Sequence, residues 1–440
     1  MNRRKEKRIQ WLIILASFIM IVVRFLLNEK GRVSPDSIRY MRTAHVFPII
    51  DNTTTPLGYP LAIKLLTIFG LQEFWASKVI GILAFLFILI FAYKKKFYFK
   101  ESVLLVSLFS FVSLFSSTLS EALILPMVFV FLYVARNSII GQYNSTQIVV
   151  GMSLCMILLF NVRYSALFFM GTILLFGLFY WRKKYGKAFV ISSLLGFSFV
   201  ALYKLLFINY FHAGYVDQFL EIGLHPTSQL IVELFQGLST SFNPFIHMAS
   251  PTGGMINYAI YGVGVLTLVL MFFLFKYNPL SETEKLMAWV GVLGVLCSFF
   301  IQYFYSVDVL DYRLLSPFIL SIWLLFFKKV YAVLGRKIYF ISFLSLASGL
   351  AFTWLSRGNY LENRKAITRY LEQENLQNGK IFFYTSPDEK NPNQIQVAEL
   401  ISTVNPEVYI SKNPKDTLKS NVLTASKVQQ KIKIMKNKYQ

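Results

Sequence analysis

The chain has 440 residues, of which 55% are hydrophobic, 17% aromatic and only 15% charged. Soluble domains carry roughly a quarter charged residues, so this composition excludes an ordinary water-soluble globule and points to lipid as the solvent. The net charge of +22 would suit a polyanionic partner, but the basic runs at 3–8, 94–100, 182–187 and 328–337 each abut an apolar block. With no basic platform interleaved with aromatics, they exclude nucleic acid and read as cationic loops on the cytoplasmic face of a membrane.

The apolar blocks run about 15–22 residues, long enough to cross a hydrocarbon core, and must be helical because lipid offers the backbone no partners. The first spans 9–27. It lacks a small-x-small cleavage site and contains Arg24, so it reads as a retained membrane helix rather than a secretory signal. A polar stretch follows over 28–58, and the apolar segment 59–70, interrupted by Lys64, is short enough to lie along the surface. Further spans are expected at 75–93, 102–117, 121–136, 147–161, 165–181, 187–210, 255–275, 286–305, 314–332 and 337–355. The total is about eleven crossings, with the N-terminus cytoplasmic and the C-terminus outside. The long 212–254 segment has no Lys or Arg, in keeping with an outer loop.

Beyond residue 355 the chain turns polar. A helical stretch at 361–376, a strand-like IFFY at 381–384, a helix at 394–404 and a second strand at 408–410 predict a small extracytoplasmic α/β domain over 356–440. Residues 1–355 form the transmembrane domain. Cys155 and Cys297 both fall inside apolar blocks and read as packing residues. The four histidines, His45, His212, His225 and His247, fall in predicted outer loops without metal-ligand spacing. The long loop adds Asp217, Glu221 and Glu233 as acidic groups that could wall an acceptor entrance.

Ser34-Pro35-Asp36-Ser37 has the form of a helix start, with a Ser cap and Pro at the first helical position. The residues after it make a short amphipathic helix at the membrane interface. Asp36 there either complements the helix dipole or serves as a general base at headgroup depth. Arg39, Arg163 and Arg313 stand at predicted outer ends. Each either snorkels, pairs with Glu121 or Asp311, or holds a phosphate through its planar fork.

SPDSIRYMRTA followed by TTTPLGYPL resembles the first outer loop of the GT-C superfamily of membrane glycosyltransferases, in particular the family 39-like, dolichyl-phosphate-mannose-type transferases and their bacterial relatives. Ser120-Glu121-Ala122-Leu123, Asn161-Val162-Arg163-Tyr164 and Asp311-Tyr312-Arg313-Leu314-Leu315-Ser316-Pro317 resemble three later segments of that superfamily, in the same order over about residues 10–355. The resemblance implies an all-α polytopic bundle with juxtamembrane helices in the first outer loop. It implies transfer of a sugar from a polyprenyl-phosphate lipid to a glycan, lipid or protein acceptor, with Asp36 catalytic. Arg163, Arg313 and Arg39 would bind the donor phosphate, and Tyr40, Tyr59 and Asp311 would belong to the substrate loops. Many relatives carry paired acidic residues where this chain has Asp36-Ser37. The second carboxylate is then Asp51 or Glu121, and the need for a divalent cation stays open. The competing expectations are a lipid-linked saccharide transporter or flippase, and a polymerase or ligase of lipid-linked oligosaccharides.

Overall fold

The computed structural model describes residues 2–211, 227–248, 254–305, 309–385, 394–419 and 421–435. Among them, eight helical stretches are long and apolar enough to cross a membrane, so the chain is a multi-pass, all-α membrane bundle. In chain order the helices are α1 (Asn2–Leu27), α2 (Pro35–Val46), α3 (Gly58–Thr67), α4 (Glu73–Lys95), α5 (Phe99–Ser107), α6 (Phe109–Ser116), α7 (Ser120–Ile139), α8 (Ser145–Val162) and α9 (Leu167–Phe179). They continue with α10 (Lys184–Tyr203), α11 (Thr227–Ser241), α12 (Met255–Tyr277), α13 (Glu282–Phe304), α14 (Tyr312–Leu334), α15 (Tyr339–Leu355), α16 (Tyr360–Gln373), α17 (Gln394–Ser402) and α18 (Ala425–Lys431).

Two expected elements come out differently. The single span anticipated at 102–117 is broken: α5 and α6 meet at 75°, with Leu108 extended between them. Serines of α15 compensate for the lost helical bonds. Ser345 Oγ accepts from the Phe109 N–H at 2.8 Å, and Ser107 donates to Ser342 at 2.7 Å. The 212–254 segment also contains a helix, α11, packed so closely on α12 that a Cβ at Gly264 would lie 1.8 Å from the Ser239 carbonyl oxygen. Only glycine admits that approach. Beyond α11, Asn243 accepts from the Phe245 and Ile246 N–H groups and donates to the Ile260 carbonyl. Ser345 and Ser348 donate to the Pro244 and Phe245 carbonyls, which draws residues 243–247 inward.

The bundle has two unlike ends. At one, Glu6 of α1 pairs with Lys100 at 3.1 Å and Arg336 at 3.7 Å, Glu284 with Lys328 at 2.6 Å, and Glu282 with Lys183 at 3.5 Å. The basic runs thus gather into one collar. At the other end lie the C-terminus of α1, the juxtamembrane helices α2 and α3, and the starts of α4, α7 and α14. Helices α14 and α15 run between these ends antiparallel. Tyr331 and Tyr339 both reach Glu6, whereas Thr353 meets Arg24.

The C-terminal segment forms a three-stranded parallel sheet in the order β2-β1-β3, from β1 (Ile381–Tyr384), β2 (Val408–Ser411) and β3 (Val422–Leu423). Its apolar core takes in Val33, Ile38 and Met41 from the first loop, so the sheet unit and α2 are buried together. Lys30 pairs with Glu399, and Asn363 donates to the Glu29 carbonyl at 2.9 Å. The unit therefore fixes the loop that carries α2.

Candidate functional site

Helix α2 begins where Ser34 and Pro35 dictate, and Ser37 holds the start together. Its hydroxyl accepts from the Ser34 N–H at 2.9 Å and donates to the Thr118 carbonyl at 2.6 Å. Ser37 is fully buried in that exchange. Tyr40 reaches Ser120 at 3.0 Å and meets the Tyr59 ring edge-on at 5.1 Å, tying α2 to α7 and α3. Tyr59 is fully buried and serves as a wall. Burial, followed by the Glu121 and Asp36 charges, pushes the Tyr40 phenol up, so it stays neutral.

These contacts set Asp36 in a cluster of charged groups. Arg313 Nη1 lies 3.3 Å from Asp36 Oδ2, and its Nε lies 3.3 Å from Glu121 Oε1. Arg163 Nη1 holds the same Glu121 oxygen at 2.6 Å, and Arg39 stands 4.0 Å from Asp36. Asp311 caps α14, accepting from the Arg313 and Leu314 N–H groups at 3.0 and 3.1 Å, and so aims Arg313. Burial pushes the Asp311 carboxyl up, against the opposing pull of Arg313. Three carboxylates and three arginines make this cluster neutral overall.

Exposure divides the labour within the cluster. The Glu121 side chain is 2% exposed and engaged by two arginines, whereas Asp36 is 34% exposed. Asp36 is the more accessible of these two carboxylates. Arg163 and Arg313 are occupied by Glu121, which leaves Arg39, 41% exposed, as the accessible arginine of the three. Asp51 is not brought to this place. It pairs with Arg42 at 2.8 Å, and Arg42 in turn donates to the Val408 carbonyl and covers the Tyr409 ring. Of the two candidate second carboxylates, only Glu121 neighbours Asp36.

A second charged group adjoins the first and was not assembled from the sequence. Arg24 is fully buried, donating to Thr353 at 2.8 Å and Ser113 at 3.0 Å over the Phe109 ring. Lys78, also buried, donates to the Ser116 carbonyl at 2.9 Å. Arg32 lies within electrostatic reach of both, and of His247. His247 is 3% exposed, its ring 4.0 Å from Tyr312 and 4.6 Å from Phe109, and among the described residues neither ring nitrogen has a hydrogen-bond partner. Burial, then the charges of Arg24 and Arg32, hold His247 well below the usual imidazole range, hence neutral. Among the described residues Arg24, Arg32 and Lys78 make no ion pair, and the carboxylate that acts on Arg32 is Glu29. Three basic side chains thus stand near one carboxylate, Glu29.

Arg24 and Lys78 did carry a signal, because an ionisable residue inside an apolar block is a functional candidate by default. His247 carried none, since its position depends on how residues 243–247 fold inward.

Among the described residues no three His, Cys, Asp or Glu side chains converge as metal ligands. The Arg313 guanidinium bridges Asp36 and Glu121. His45 instead pairs with Glu73 at 2.7 Å, and Glu233 accepts from Gln302 at 2.7 Å. His212, His225, Asp217 and Glu221 lie outside the described residues. No protein-family model and no curated protein matches the chain.

Proposed function

We propose that the chain is a membrane glycosyltransferase that moves a sugar from a polyprenyl-phosphate donor to an acceptor hydroxyl. The observation that carries this reading is the nearness of a part-exposed carboxylate, Asp36, to the buried basic side chains Arg24 and Lys78, which make no ion pair among the described residues. A glycosyl phosphate needs a base for the incoming hydroxyl and cations for the departing phosphate. In the reaction the acceptor oxygen bonds to the anomeric carbon, its proton passes to Asp36, and the bond from that carbon to the phosphate oxygen breaks. The released polyprenyl phosphate gains a negative charge, which Arg24, Arg32 and Lys78, together with Arg39, stabilise. Arg313 holds Asp36 directly and is itself fixed by Glu121, which Arg163 also binds, so these two arginines position Asp36 rather than meeting the phosphate.

In this reading the basic collar and the N-terminus are cytoplasmic, in keeping with the bias of Lys and Arg toward that face, and Asp36 and the sheet unit lie outside. The crossings number about eleven: the long stretches with α14 and α15 counted separately, the broken pair α5–α6, and the short helix ending in α9.

Full-length protein reconstituted in liposomes with radiolabelled prenyl-phosphate sugars and a panel of acceptors tests the proposal. Formation of glycosylated product supports transfer. Movement of the intact lipid-linked sugar between leaflets without product would instead establish a transporter.

A further inference from the structure

We propose that the basic end of the bundle carries a pocket for the phosphate headgroup of an anionic membrane lipid, separate from the Asp36 site. A cavity of about 970 Å³ opens there between the end of α4, the start of α5, the end of α7, and helices α13 and α14. Its charged lining is Lys94, Lys96, Lys100, Arg136, Lys328 and Glu101. Five cations and one carboxylate line it, and with Glu6 and Glu284, which pair two of those cations, the excess is two positive charges.

The way these cations are held argues for an anionic occupant. Lys100 is paired with Glu6, and Lys328 with Glu284. Lys94, Lys96 and Arg136 have no ion pair among the described residues. Aromatic rings lie beside three of the cations, the two paired ones and Arg136. Lys100 lies 4.1 Å from the Tyr331 ring centroid, Lys328 5.4 Å from Tyr98, and Arg136 5.9 Å from Phe97. A ring face steadies a cation without cancelling its charge, so the cation remains able to bind an anion.

The turn that presents them is strained. Lys96 and Tyr98 both adopt left-handed backbone conformations, φ 50° and 47°, on either side of the buried anchor Phe97. Non-glycine residues hold such angles only when their surroundings compel it, and strain of this kind gathers at binding sites.

Position selects a lipid as the source of the phosphate. The cavity lies where apolar spans end, which is headgroup depth, and its rim includes Tyr93 and Ile140, whose side chains face outward. Acyl chains can cover that rim while the phosphate enters among Lys94, Lys96 and Arg136. Free phosphate shares the charge but has no use for the apolar rim.

The test uses full-length protein in phosphatidylcholine nanodiscs containing a minor fraction of phosphatidylglycerol, with retained lipid read by native mass spectrometry. Wild type is expected to retain phosphatidylglycerol selectively and to melt at a higher temperature with it than without it. K94Q/K96Q/R136Q should weaken retention on the order of 100-fold, at roughly fivefold per cation. K94R/K96R/R136K should preserve it, as should R182Q/K183Q/K184Q, which removes charge from the same end outside the cavity. The pocket is refuted if wild type shows no preference, or if the 182–184 variant loses as much as the lining variant. Displacement of the lipid by millimolar orthophosphate would refute the lipid source. The wild-type melting comparison decides the matter without any variant, should the lining variant fail to fold.

Discussion

Two neighbouring charge clusters share the end of the bundle away from the basic collar, and they are built on opposite plans. Around Asp36, arginines and carboxylates match in number, and each buried charge has a partner within 3.3 Å. Around Arg24, the cations outnumber the carboxylates and lean on hydroxyls, carbonyls and rings. A closed network of this kind fixes geometry, since removing any partner strands another charge. An unbalanced one costs stability until an anion arrives. Under the proposed function the first cluster would position Asp36 and the second would bind the donor's phosphate.

The contrast can be broken in four ways. Asp36→Asn should lower turnover by about 10²–10⁴-fold, the usual contribution of a general base, and leave the melting temperature nearly unchanged. Unchanged turnover in a folded variant would remove Asp36 from the chemistry. Glu121→Gln should cost about 3–5 kcal/mol of stability, because Arg163 and Arg313 lose their shared partner in a buried site. Thermal or chemical unfolding of the purified variant reads this directly.

Lys78→Met should act in the opposite sense. Without ligand it is expected to stabilise the protein by about 1–2 kcal/mol, since a buried, unpaired ammonium is replaced by an apolar chain of similar volume. The same variant should raise KM for the lipid-phosphate donor. A destabilised Lys78→Met with unaltered KM would erase the distinction between the clusters.

The last prediction concerns the sheet unit that braces α2. Burial pushes the Glu399 carboxyl up to about 7, against the pull of Lys30. Its folded value lies above its ordinary 4.5, so the folded state holds the proton more tightly. Stability is then greatest at low pH and declines as pH rises from about 4.5 to about 7. Melting curves across that range should show the decline in wild type and a flatter profile in Glu399→Gln.

What the sequence made legible follows from how local each signal is. Apolar blocks report spans because lipid forces backbone pairing within each segment, and Ser34-Pro35 reports the start of α2 because capping involves only neighbouring residues. IFFY and the strand at Val408 were readable from β-prone side chains, whereas β3, two residues long, has too little pattern to register. The break at Leu108 escaped notice because its compensation comes from Ser342 and Ser345, more than two hundred residues away. Asp36, Glu121, Arg163 and Arg313 could be named as candidates, but their mutual distances could not. That Asp51 belongs with Arg42 and the sheet edge is likewise a tertiary fact. The basic group around Arg24 was hidden for the same reason, since Arg24 and Arg32, Lys78, and His247 come from three separate stretches of chain.

The most direct test of the account compares polyprenyl phosphate with neutral polyprenol as stabilising ligands of the purified, full-length protein. The phosphate is predicted to raise the melting temperature of wild type well above any effect of the alcohol, and to lose that advantage in an Arg24→Gln, Lys78→Met double variant. Equal stabilisation by the two lipids, or an advantage that survives the double substitution, would contradict it.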